Sequence, residues 1–446
     1  MERRGAEAEG RQLGEGCGYL PHTARDEAAM LEKIGVPSID ALFAQIPDEV
    51  RLAAPPEIGP GLDEQSLARL LQAMAAANSG AGLVCFAGGG YYDRYLPAAQ
   101  QSLLSRGEFL TAYTPYQPEV SQGTLQVTFE FQTMIAELTG LPVATAGLYD
   151  GSTALAEAAA MARAATGRPR VAFAPGLHPE WVEVLSTYGG DGGMVPLHEV
   201  GDGRDIAAVI VQQPDHFGRV CDLGRVLRER PAGSIAIAAV DPATLGVLEA
   251  PGALGAEIVV GEGQSVGLPL GYGGPYLGFM AAADVLLRRL PGRICGRTLD
   301  AAGRRAFVLT LQAREQHIRR AKATSNVCTN EALCALAVTI YLGLLGPVGL
   351  RRLGELCLAR AHYAADRLTS IPGVALAYPD DPFFAEFALR VGDAPGVIDA
   401  LAARGYLVGP AIDAGSLLVA VTEKRDRADI DGLADALREV VTGAGA

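Results

Sequence analysis

Asp241–Gly278 reads DPATLGVLEAPGALGAEIVVGEGQSVGLPLGYGGPYLG and follows directly on the apolar run SIAIAAV, residues 234–240. An Asp closes the first apolar strand. A second, AEIVVG, runs into the polar turn Gly263-Gln264-Ser265 and then into a glycine-rich loop. Short strands that are apolar almost throughout are what a parallel sheet covered on both faces requires. Working outward, helix and strand alternate from about Gly140 to Ala283. A helix opens at Gly151-Ser152-Thr153 and is followed by RVAFA, a helix from His178 to Tyr188, MVPLHEV, IAAVIVQQP and a helix over DLGRVLRER. This order predicts an α/β protein with a mostly parallel sheet.

The flanks differ in character. Residues 1–18, rich in Gly, Glu and Arg, read as a disordered extension. Residues 19–80 read as an N-terminal helical arm. It holds ARDEAAMLEKIG closed by Gly35, SIDALFAQI capped by Ser38 and closed by Pro47, a proline-broken linker, and the amphipathic EQSLARLLQAMAAA. The large domain spans 81–328. Residues 329–446 form a smaller α+β domain entered through long helices interrupted at Gly346-Pro347.

The bulk numbers narrow the function. A chain of 446 residues, 49% hydrophobic and 20% charged, supports more than one packed region. Its net charge of −14 disfavours a nucleic-acid surface and an anionic membrane. The cysteines at 17, 85, 221, 295, 328, 334 and 357 are scattered, with no metal-like spacing, which suits reduced thiols. With no secretory h-region and no unbroken run of apolar residues long enough to span a bilayer, a cytoplasmic protein is expected.

Several constellations suggest chemistry, each with a plainer alternative. Backbone amides and hydroxyls at Ser152 and Thr153 suit a phosphate at a helix start; taken alone, an ordinary N-cap at Asp150 or Ser152 is the favoured reading. His178, at a strand's carboxyl end, is placed to stack on an aromatic ligand or simply to cap the helix after it. Asp241 needs a partner to end an apolar strand, or else caps its own turn. The rigid, polar TAYTPYQPE loop, Thr111–Glu119, is suited to lining a site. The basic run Arg314–Lys322 reads as a solvated stretch or as a clamp for an anion.

The 241–278 stretch resembles the centre of a pyridoxal-phosphate (PLP) enzyme. There the Asp would pair with the pyridine nitrogen and a Lys on the next turn would hold the cofactor. Here that turn carries Gln264, whose amide cannot form the imine. The chain's three lysines are Lys33, Lys322 and Lys424, none on a strand-end turn of this region. The combination of Tyr19–Thr23, Arg106–Gly123, Tyr149–Glu157, the 263–269 loop, Arg314–Arg320 and Thr324–Asn326 resembles the alpha-type subunits of the decarboxylating glycine dehydrogenase, the P-protein family of the glycine cleavage system.

The resemblance covers residue 19 to the end and implies a fold-type I PLP-transferase architecture. It implies no covalently bound cofactor in this chain and PLP in a partner beta subunit of an alpha2beta2 assembly. Glycine is the implied substrate and a lipoylated H-protein the acceptor of its aminomethyl group. Gln264 then falls where the Schiff-base lysine would be. Ser152, Thr153, His178 and Asp241 would be remnants of a cofactor cleft, and Tyr113, Tyr116, Gln117 and Glu119 would complete the partner's pocket. A purely structural or regulatory partner of a PLP enzyme, and an autonomous enzyme using Lys322, are the competing readings.

Overall fold

The computed structural model describes residues 21–52, 54, 56–110, 113–189, 193–323, 325–328 and 330–443. The extension expected over 1–18 lies outside them, as do Tyr19, Leu20, Thr111, Ala112 and Thr324 of the quoted motifs.

Two compact units divide the chain after Asn78. The first holds α1 (Ala24–Ile34) and α2 (Glu64–Ala76). Thr23 and Asp26 cap α1 reciprocally, and Gly35, at φ 86°, ends it. Asp63 caps α2 by accepting from the Ser66 N–H. The helix expected over SIDALFAQI is instead one 3₁₀ turn, Asp40–Phe43. The few residues between Ser38 and Pro47 are too short a stretch to repay helix nucleation.

In the second unit the elements run β1 (Val84–Cys85), α3 (Ala98–Leu104), α4 (Gln122–Thr139), β2 (Val143–Ala144), α5 (Gly151–Thr166), β3 (Arg170–Phe173), α6 (Pro179–Gly189), β4 (Met194–Pro196), β5 (Ile206–Gln213), α7 (Leu223–Arg228), β6 (Ile235–Val240), β7 (Ile258–Glu262) and β8 (Gly278–Ala282). There follow β9 (Ile294–Leu299), β10 (Arg305–Thr310), α8 (Gln316–Arg319), α9 (Ala332–Thr369), β11 (Ala375–Leu376), β12 (Glu386–Arg390), α10 (Ala394–Ala402), β13 (Tyr406–Leu407), β14 (Ser416–Ala420) and α11 (Arg427–Thr442).

The main sheet has seven strands in the order β2-β8-β7-β6-β5-β3-β4. Its pairs from β7 to β4 are parallel, while β8 is antiparallel to both its neighbours. Alternation along β6 sends Ala236, Ala238 and Val240 to one core and Ile235, Ile237 and Ala239 to the other. The near-continuous apolar strands therefore follow from two covered faces.

The smaller lobe is the antiparallel sheet β11-β12-β14 packed with α10, α11 and the second half of α9. One boundary differs from the sequence reading. β1, assigned by sequence to the large domain, pairs in parallel with β13, and the Ala420 N–H donates to Phe86 O. Residues 84–88 thus run with the smaller lobe.

α9 joins the lobes. Val338 and Tyr341 enter the large core, Ala361 and Leu368 the small one, and the helix bends at Gly346 (φ 59°, ψ −178°) ahead of Pro347. Among the described residues it is the one helix long and apolar enough to cross a membrane, and half of that apolar window is buried in the protein. A stretch the sequence left unassigned, 294–310, forms the antiparallel hairpin β9–β10.

Candidate functional site

His178, Asp241 and Gln264 follow the carboxyl ends of β3, β6 and β7, and Ser152 and Thr153 open α5 after β2, which runs in the same direction as β7. All five therefore lie on the side of the sheet where ligands of open α/β sheets bind. Each of these side chains is already engaged. Asp150 is the N-cap of α5: Oδ1 accepts from the Thr153 N–H (2.8 Å) and the Ser152 hydroxyl (2.6 Å), and Oδ2 from the Thr153 hydroxyl (2.9 Å). The Gly151 N–H donates to Glu262 Oε2 at 2.9 Å. The Trp181 indole lies over this turn, so close that a Cβ on Gly151 would stand 2.7 Å from its Cη2.

His178 is buried. Its Nδ1 accepts from the Glu180 N–H (3.2 Å), and its Nε2, 3.0 Å from the Gly89 carbonyl, must therefore carry the proton. Burial lowers its pKa, and the hydrogen bond to Gly89 only partly opposes that. Beside it, burial and the second imidazole push His216 down to about 4. Both rings are neutral at pH 7.

Asp241 accepts from the Ala243 N–H (3.0 Å) and from the Ser265 hydroxyl, and its Oδ2 stands 3.9 Å from Arg94 Nη2. Gln264, 0% exposed, is bonded at both ends of its amide to Tyr92. Its Oε1 accepts from the Tyr92 N–H (2.9 Å), while Nε2 donates to Tyr92 O (2.9 Å) and Leu268 O (3.0 Å).

The segment 89–94 is what these side chains have in common: His178 holds Gly89, Gln264 holds Tyr92 and Asp241 faces Arg94. Glu386 adds to it, accepting from the Gly89 N–H (2.6 Å) and the Tyr92 hydroxyl (3.1 Å), and Arg94 reaches Glu423 at 2.9 Å. The sequence reading missed this segment although AGGGYYDR, three glycines before two tyrosines, marks a close backbone approach. It also missed Glu262, which ends an apolar strand just as Asp241 does.

The residues present do not fit PLP. A buried carboxylate sits on the first turn of α5, where a phosphate would need the N–H groups. The Gln264 amide, bonded at both ends to Tyr92, has no amine to offer, and the chain's own backbone meets His178 and Gln264.

A second group lies around the TAYTPYQPE loop. Tyr113 is 81% exposed, and Tyr116, Gln117 and Glu119 are exposed as well. Gln122 fastens the loop to the hairpin, donating to Pro118 O (2.7 Å) and Phe307 O (2.9 Å) and accepting from the Phe307 N–H (2.9 Å). The Tyr116 ring lies 6.3 Å from that of His317, and the Arg293 guanidinium 5.7 Å from its centre. Glu315, itself buried, is 3.7 Å from His317. Glu119 lines an open cavity of about 760 Å³ shared with Gln126, Arg304 and Phe307.

The basic run is not one helix. Arg314 turns inward to the carbonyls of Leu290 and Gly292, α8 lasts one turn, and Arg320 (φ 54°) breaks it. Arg319, Arg320 and Lys322 are exposed. Arg293 carried no signal in the sequence, and His317 stood out only as part of the basic run; the fold alone brings both to Tyr116.

Comparison with known proteins agrees with this architecture. A sphingosine-1-phosphate lyase from Burkholderia pseudomallei superposes with a TM-score of 0.62 at 16% identity, covering 88% of this chain and 93% of that one, which speaks for the fold alone. A crystal structure of glycine decarboxylase (P-protein) in inhibitor-bound form matches with a TM-score of 0.87 and 45% identity, over 95% of this chain and 99% of that one. A protein of Desulforamulus reducens named probable glycine dehydrogenase (decarboxylating) subunit 1 is 48% identical over 93% of this chain and 98% of its own length. Residues 17–437 match the family model of the glycine cleavage system P-protein, and the chain, with its fold-type I architecture, belongs to that family.

Proposed function

We propose that this chain is the alpha subunit of a glycine-decarboxylating P-protein and works only with a second, PLP-bearing beta subunit. The family is that of a PLP-dependent system, and a relative named subunit 1 implies a partner. The single observation that carries the proposal is Gln264: a buried amide, bonded on both sides to Tyr92, stands on the turn after β7 and has no amine to offer.

The electron-accepting chemistry that glycine decarboxylation demands is then the partner's. In the reaction glycine loses CO2, its aminomethyl group bonds to one sulfur of the H-protein's lipoyl disulfide, and the other sulfur leaves as a thiol.

This chain's part is to complete the pocket with Tyr113, Tyr116, Gln117 and Glu119. Those groups are exposed in the isolated chain, and Gln122 holds their loop to the β9–β10 hairpin. Tyr116, with Arg293 and His317 against its ring, offers a hydroxyl of fixed position toward glycine or the arriving lipoyl sulfur. Ser152, Thr153, His178 and Asp241 bind the chain itself and have no part in the chemistry.

Mixing the purified chain with a beta subunit, PLP and H-protein is expected to give glycine–bicarbonate exchange that neither subunit gives alone. Exchange by this chain unaided would reject the proposal. Tyr116→Phe is expected to lower exchange in the reconstituted assembly at least about tenfold, a loss of ~1.4 kcal/mol in the barrier. Subunit assembly, followed by analytical ultracentrifugation, should stay intact. Unchanged exchange would remove Tyr116 from the pocket.

A further inference from the structure

The first turn of α5 presents N–H groups with no partner inside the helix, and the positive end of a 16-residue helix, a place that attracts an anion. The anion found there belongs to the protein. Glu262 projects from the end of β7 and is only 5% exposed. Its Oε2 takes the Gly151 N–H at 2.9 Å, and its Oε1 takes the N–H groups of Leu277 (3.0 Å) and Gln264 (3.1 Å). Three main-chain donors, from the start of α5, the turn after β7 and the approach to β8, converge on one carboxylate. Trp181 covers the same turn, with Cζ2 and Cη2 at 2.8 and 2.7 Å from where a Cβ of Gly151 would lie.

A phosphate monoester and this carboxylate would compete for the same N–H group. Two anions in a buried site repel far more strongly than in water. Asp150, whose carboxylate is tied to Ser152 and Thr153, adds to the repulsion. Burial raises the Glu262 carboxyl to about 7, against the pull of its three N–H donors. At and above neutrality it is substantially charged.

We infer that Glu262 is a built-in substitute for a phosphate: its carboxylate occupies the anion position at the start of α5 and closes this chain's cleft to phosphorylated ligands, independently of the amide at 264. The inference rests on reading the chain as the cofactor-free subunit. It is nevertheless tested on this chain alone, without any activity measurement. The two failures are distinguishable: exchange by the unaided chain counts against the functional reading, and a phosphate response of the unmodified chain counts against this inference.

The experiment is thermal unfolding of the full chain at pH 8 in inorganic phosphate or in chloride of matched ionic strength. The wild-type midpoint is expected to be the same in both. Glu262→Ala, which frees the Gly151 N–H and the space beside it, is expected to melt lower in chloride. In 20 mM phosphate it should regain about 2 °C, since a ligand that binds only the folded state raises the midpoint. Should the alanine variant not fold, Glu262→Ser keeps a hydroxyl to accept from Gln264 N–H while vacating the same space, and the same rise is expected. A phosphate-specific rise in the wild-type chain overturns the inference. So does indifference to phosphate in a folded Glu262→Ala or Glu262→Ser variant.

Discussion

Glu386, on β12, is buried beside the 89–94 segment, and its titration links that segment to pH. Burial pushes its carboxyl up to about 7, with Asp241 and Asp215 adding repulsion and the Gly89 N–H and Tyr92 hydroxyl opposing. A folded-state value above the unfolded one means the native state holds the proton more tightly. The stabilisation is complete below about 4.5 and is lost as pH rises through 7. Glu386→Gln cannot titrate yet still accepts from Gly89 N–H. Between pH 5 and 8 the wild type is therefore expected to lose on the order of 2 kcal/mol relative to the variant in urea unfolding. His178 and His216 work in the opposite sense, but they are present in both proteins and cancel in the difference. Parallel curves would show that Glu386 is not the group. At this scale Gln264 and Asp241 were legible, because a missing amine and a strand-end acid are properties of the residue itself. Glu386 was not, since its environment is made by Gly89 and Tyr92, some 300 positions away.

The start of α5 illustrates how an element can be read correctly while its neighbours stay hidden. The Asp150 N-cap and the helix after it follow from local propensity. That Gly151 must be glycine does not. Gly→Ala inside a helix normally stabilises by about 1 kcal/mol. Here the added methyl would meet Trp181 at 2.7 Å and the Glu262 Cβ at 3.0 Å. Gly151→Ala is expected to destabilise by roughly 2 kcal/mol, an overpacking cost in a tight site. Trp181→Phe in the same chain is expected to recover part of it, and chemical denaturation of the single and double variants measures both. A stabilised Gly151→Ala would contradict the packing of Trp181 on this turn. The hairpin β9–β10 was invisible in the sequence: RICGRTLDAAGRRAFVLT has neither a clean alternation nor a two-residue turn signal. The basic run, read as a solvated stretch or an anion clamp, is solvated at Arg319, Arg320 and Lys322, but Arg314 turns inward to two carbonyls.

Between the two lobes of residues 79–446 one cation does much of the joining. Arg94, wholly buried, bonds Glu423 after β14 and Cys357 on α9 (2.9 Å each) and faces Asp241 after β6. Burial would raise the Glu423 carboxyl, and Arg94 outweighs it, so the group is held below its usual value. Removing the guanidinium strands a buried carboxylate. Arg94→Ala is expected to cost about 3 kcal/mol, and Arg94→Met with Glu423→Gln is expected to regain more than half by removing both charges. Calorimetry of the cycle gives the coupling; additive effects would mean the pair does not hold the lobes.

Sequence alone determined the class of fold, because strands apolar on both faces leave a parallel sheet few alternatives, and it determined that the turn after β7 lacks an amine. It also carried the family, through polar motifs that packing does not demand. Only the tertiary structure decided what fills the cleft, because that depends on Gly89–Arg94 crossing from the smaller lobe's edge to His178, Gln264 and Asp241. It decided likewise that Glu262 meets Gly151 and that Arg293 and His317 meet Tyr116. Such contacts join residues far apart in the chain, and local propensity and periodicity hold no information about them.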